Sequence, residues 1–144
     1  MRRALFVSFA LAVMVAALSS VAWAATDNSL DLSMVGVPIL AKGRLVNYVL
    51  VKVSLTLRPG VDVSHLSEKE PYFREALARL GYRTPLNPPT SLNRVDPELV
   101  RVKLLPLCQT IAGPGVVTGV EVKFQEPQKR VEEPAPAAAS PPRP

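Results

Sequence analysis

The chain holds one histidine, His65, and one cysteine, Cys108, so any reaction centred on an imidazole or a thiolate has to use them. His65 lies in Asp62-Val63-Ser64-His65-Leu66-Ser67, which brings together the residue types of a nucleophile, base and orienter. Neighbours in one turn cannot set those three groups in the geometry that acyl transfer needs, so the segment reads as turn and cap chemistry. Cys108 falls within an apolar stripe, where a thiol behaves as a small, inert hydrophobe. A lone cysteine also excludes an internal disulfide and a CxxC redox or metal motif. Gly113-Pro114-Gly115 has the composition of a phosphate loop, but it follows a helical pattern instead of preceding one, and Pro114 offers no amide to an anion. The carboxylate pairs Glu68/Glu70 and Glu132/Glu133 fall in a helix start and a polar tail, where solvated charge is the expectation. No catalytic, cofactor-binding or metal-binding residue is assigned, and the chain is expected not to be an enzyme.

The scaffold around these residues is 144 long, enough for one domain. Met1-Arg2-Arg3 followed by the apolar run Ala4 to Ala17 and by Ala22-Trp23-Ala24 is a secretory signal pattern, with cleavage expected between Ala24 and Ala25. The alternative is a retained inner-membrane anchor, because Ala4 to Ala25 is long enough to span a bilayer. Either way the following domain is expected in the periplasm. Arg2-Arg3 alone is a basic n-region; it lacks the rest of a twin-arginine motif. Without Arg2 and Arg3 the formal charge falls from +5 to +3. The remaining cations are scattered singly among acids with no aromatic platform, so no nucleic-acid partner is expected.

The expected fold is α+β, in the order β-β-α-α-β: a small sheet made of an N-terminal hairpin and a C-terminal strand, covered by two helices. Its central element is Leu45 to Leu57, where Val49, Val51, Val53, Leu55 and Leu57 alternate with Lys52, Ser54 and Thr56 at the strand period. Leu30 to Leu40 supplies the other hairpin strand, with Pro38 making it an edge there or breaking it, and Gly43 the turn. Ser67-Glu68-Lys69-Glu70 has capping-box spacing, and Tyr72, Phe73, Ala76, Leu77 and Leu80 follow a helical period up to Gly81, which is expected to end the helix. Pro71 offers a second start for that helix. Glu75 and Arg79 form an i,i+4 pair on its exposed face. Pro85, Pro88 and Pro89 mark a rigid loop.

Asp96-Pro97-Glu98 is a helix start, and Val100, Leu104, Leu107, Cys108 and Ile111 form a stripe expected to lie on the sheet from Pro97 to Ala112, kinked or broken at Pro106. Val100, Val102 and Leu104 also alternate as a strand would. Val120, Val122 and Phe124 are expected to share the core face of the last strand, opposite Glu121 and Lys123. The domain boundaries are then 1–24 for the signal or anchor, 25–125 for the domain and 126–144 for a disordered Pro/Ala-rich tail.

Over roughly Leu30 to Gln125 the chain resembles FliL, the flagellar basal-body-associated family. The resemblance is carried by Val37-Pro38-Ile39, by the strand Tyr48-Val49-Leu50-Val51-Lys52-Val53-Ser54-Leu55 and by the helix-to-strand ending from Ile111 through Gly113-Pro114-Gly115 to Gln125. It implies a periplasmic domain of the stomatin type, close to the inner membrane, that assembles with protein partners at the flagellar stator or basal body, and it leaves room for oligomers. The alternative is a soluble periplasmic binding protein or envelope structural protein unrelated to flagella.

Overall fold

The computed structural model describes residues 28–133. The N-terminal run with the Ala24/Ala25 cleavage site, and residues 134–144 of the expected tail, lie outside that range. Within it the fold is α+β. Four antiparallel strands form one sheet: β1 (Ser29–Asp31), β2 (Val35–Ala41), β3 (Arg44–Leu57) and β4 (Val117–Pro127). Three helices lie between β3 and β4: the single turn α1 (Val63–Ser67), then α2 (Glu70–Arg83) and α3 (Pro97–Ala112).

β3 is central because its alternation gives one fully apolar face. Val49, Val51, Val53, Leu55 and Leu57 are all buried. β2 pairs with residues 44–51 of β3 and β1 with 54–56, while β4 pairs along 49–57. A strand has two edges, so β1 and β2 must run end to end along one and β4 along the other. The expected continuous first strand is therefore interrupted at Leu32 to Met34. The hairpin turn Lys42-Gly43 has φ of 50° and 74° at its two residues, the left-handed pair of a two-residue turn matched to strand twist. Pro38 sits on the edge strand, where its missing N–H costs no ladder bond.

Two bulges correct the expected register of β4. Lys52 opposes Phe124 but Val53 opposes Val122, which leaves Lys123 as an extra residue. Every side chain beyond a bulge changes face. Phe124 therefore lies on the outer face, 45% exposed, instead of sharing the core with Val120 and Val122. Gln125 turns to the core side, where its side-chain oxygen accepts the Val95 N–H at 2.8 Å.

Both long helices cover the same sheet face, α2 on β2 and α3 on β4, and they pack on each other. α2 does not stop at Gly81; it continues to Arg83. Gly81 is buried against β2, and a Cβ on it would lie 2.7 Å from Pro38 Cδ, so glycine is what permits the helix to approach the strand so closely. The capping box at Ser67 is not formed. Lys69 precedes α2 with no side-chain cap, Pro71 occupies the first turn, and the Glu70 carboxylate accepts the Ser33 N–H at 2.7 Å. α3 begins as its sequence indicates, with Asp96 Oδ1 accepting from the amides of Glu98 and Leu99 at 3.0 and 3.2 Å. It is helical through Pro106, and the strand alternative for Val100 to Leu104 is excluded. None of the described helices is long and apolar enough to cross a membrane.

The chain does not leave the domain at Gln125. β4 includes Glu126 and Pro127, and the following residues form a strap across the proline loop. Gln128 donates its N–H to Tyr48 O at 2.8 Å, buried Asn47 donates to Lys129 O at 2.7 Å, and Asn93 exchanges two hydrogen bonds with the backbone of Val131. The Ser91 hydroxyl donates to Glu133 at 2.7 Å.

Candidate functional site

The groups with intrinsic reactivity are not brought together. His65 is exposed in α1, and the Asp62 beside it is the N-cap of that turn, accepting from Ser64 and His65 amides. Cys108 is fully buried, and burial pushes its thiol up to about 12, leaving no thiolate at neutral pH. Gly113 ends α3, with Gly115 in the turn that follows, both at positive φ. Glu70 is held below its ordinary value by the Ser33 amide, then by the Ser33 side chain. Glu133 is bonded to Ser91, which is a structural tie. Among the described residues no cluster of three or more His, Cys, Asp or Glu could hold a metal ion.

What the fold does build is a groove between the two long helices. Lys69, at the start of α2, donates through Nζ to Ile111 O at the end of α3, so the helices run antiparallel. On the side away from the sheet, α2 contributes Tyr72, Glu75, Ala76, Arg79, Leu80 and Arg83, and α3 contributes Lys103, Leu107 and Ile111. These positions recur every three or four residues, which places them along one flank of each helix. The cleft they enclose is about 410 Å³. From Tyr72 to Arg83 at 1.5 Å per residue it runs for about 16 Å.

The sequence stripe placed Leu107 against the sheet with Val100, Leu104 and Cys108. Those three are buried, but Leu107 is 38% exposed and Ile111 only half-buried. Together with Ala76 and Leu80 they floor the groove. Glu75 and Arg79 pair as expected, at 2.6 Å, and neutralise one another. Arg83 and Lys103 have no ion-pair partner among the described residues, and they stand together at one end of the cleft. Sequence reasoning passed over both. The available signal was that Lys103, Leu107 and Ile111 form a second row at i, i+4, i+8, alongside the row Val100, Leu104 and Cys108 that suffices for the core.

Two other surfaces differ in kind. A larger cleft of about 700 Å³ separates the proline loop from the strap, but Ser91, Asn93 and Glu133, which line it, are already engaged with each other or with the strap backbone. It is a seam between chain segments. The outer sheet face exposes Leu50 and Phe124, yet its charges are paired internally, Lys52 with Asp31 at 3.7 Å and Lys123 with Glu121 at 2.6 Å. Tyr48 crosses from that face over Gly36 to meet the Tyr82 hydroxyl at 2.7 Å.

Comparison with protein-family models, curated proteins and solved structures finds no significant match.

Proposed function

We propose that this chain is a non-catalytic protein-interaction module of the cell envelope, exported to the periplasmic side and acting beside the inner membrane in the manner of FliL-type proteins. The observation that carries the interaction reading is the α2/α3 groove, whose floor leaves Leu107 exposed and Ala76 and Ile111 half-buried beside two cations with no ion-pair partner among the described residues. A helix layer needs only one apolar stripe to cover its sheet, and the second row on α3 leaves Leu107 exposed and Ile111 half-buried, a surface that a partner would cover. The signal pattern of the N-terminal sequence and the FliL resemblance are what support the periplasmic location and the flagellar context.

The test is genetic. A deletion strain is complemented with the wild-type gene and with Leu107→Asp, whose side chain is exposed enough to change without unfolding the domain. Loss of swimming on deletion, restored by wild type but not by Leu107→Asp at equal protein level, supports the flagellar module. Normal swimming in the deletion strain removes the flagellar role. Full rescue by Leu107→Asp removes the groove from the function.

A further inference from the structure

Resting on the interaction reading above, we infer that the α2/α3 groove receives an amphipathic helix of a partner protein, with acidic residues at the end that meets Arg83 and Lys103. The groove length of about 16 Å corresponds to roughly three helical turns. Both walls present side chains at helical spacing, Tyr72, Ala76, Leu80 and Arg83 on one side and Lys103, Leu107 and Ile111 on the other. Rows of that spacing form the grooves into which the ridges of a third helix pack. Tyr72, 61% exposed at the far end, gives the partner an aromatic surface to cover.

Charge selects the sign of the occupant. Glu75 is satisfied by Arg79, so the net unpaired charge of the cleft comes from Arg83 and Lys103 and sits at one end. A helix laid with its C-terminus there would also bring the negative end of its macrodipole to these cations, parallel to α2 and antiparallel to α3. The chain's own remaining segments do not match: residues 1–27 carry Arg2 and Arg3 against Asp27 alone, and residues 134–144 carry Arg143 and no acid. Neither of these segments carries the acids that such a helix needs, and the occupant inferred here is a helix of a partner protein.

The test uses the full chain and a fluorescent synthetic peptide of about 14 residues, with leucines at i, i+3, i+4 and i+7 and glutamates in its last turn. A second peptide replaces the glutamates with lysines, and dodecanoate serves as a small anionic amphiphile. Anisotropy titrations should show the acidic peptide binding at least about tenfold tighter than the basic one, with the difference shrinking as salt rises. Arg83→Glu with Lys103→Glu should reverse the preference, and Leu107→Asp should weaken both peptides, each variant keeping the wild-type melting temperature. Equal affinity for the two peptides, no effect of the double charge reversal, or no binding of the acidic peptide overturns the inference. So does dodecanoate binding tighter than the peptide, which would make the cleft a small-amphiphile site. The genetic test of Leu107→Asp is independent of all these outcomes, so the interaction reading can stand when the acidic helix falls.

Discussion

Gly81→Ala sets two known effects against each other at one position. In an exposed helix interior the change would stabilise by about 1 kcal/mol, through helix propensity. At Gly81 the new methyl would sit 2.7 Å from Pro38 Cδ, 3.0 Å from Pro38 Cγ and 3.0 Å from Val37 Cγ1. Pro38 Cδ is bonded to its own backbone nitrogen, so it cannot swing away; α2 or β2 has to move. Overpacking of this kind costs about 1–3 kcal/mol, and two close contacts with a rigid ring, with a third to Val37 Cγ1, place it in the upper part of that range. The net expectation is a loss of roughly 1–2 kcal/mol, or a melting temperature lower by about 5–10 °C. Urea and thermal unfolding measure it directly. The same change in a Pro38→Ala background should recover part of the loss, because the ring is the obstacle. Gly81→Ala melting at or above wild type would mean that α2 does not lie this close to β2.

Truncation after Pro127 removes the strap and should cost about 1–3 kcal/mol, since buried Asn47 loses the Lys129 carbonyl and Asn93 loses both bonds to Val131; an unchanged urea midpoint would show that the strap adds nothing. Glu70 has its carboxyl lowered on folding by the Ser33 amide, so its contribution is present above the ordinary value of 4.5 and is lost as pH falls through the lowered folded value. Glu70→Gln should accordingly show a shallower fall in stability below that pH than wild type, and parallel acid profiles would contradict the Glu70–Ser33 bond. The Cys108 thiol, buried and raised to about 12, should react with a bulky disulfide reagent only at the rate of unfolding; reaction as fast as in the denatured chain would place it at the surface.

The fold was legible wherever a local pattern had one physical solution. The alternation of Leu45 to Leu57 admits only a half-buried strand, and Asp96-Pro97 admits little besides a helix start, so both emerged with nearly the expected bounds. Three misreadings share a cause, which is tertiary geometry that local rules do not carry. Gly81 has the look of a stop signal, and its role as a close-approach residue depends on Pro38, more than forty positions away. Phe124 continues the alternation of Val120 and Val122 on paper, and only the pairing with β3 reveals the extra residue at Lys123. The strap is polar and proline-flanked, so composition assigns it no core, yet it is held through the hydrogen bonds of Asn47, Ser91 and Asn93 instead of through apolar burial. The groove was half legible: Leu107 and Ile111 were recognised as apolar, but which row faces the sheet was decided by the way α2 and α3 pack side by side.

The most direct measurement on the interaction reading is site-specific photocrosslinking in living cells, with a photoreactive residue at Leu107 in the groove and, separately, at Phe124 on the outer sheet face. A discrete adduct with one envelope protein from Leu107, lost when Arg83→Glu and Lys103→Glu are added, and no adduct from Phe124, is the predicted result. An adduct from Phe124 with none from Leu107 would move the contact surface to the open sheet, and no adduct from either position would contradict the account.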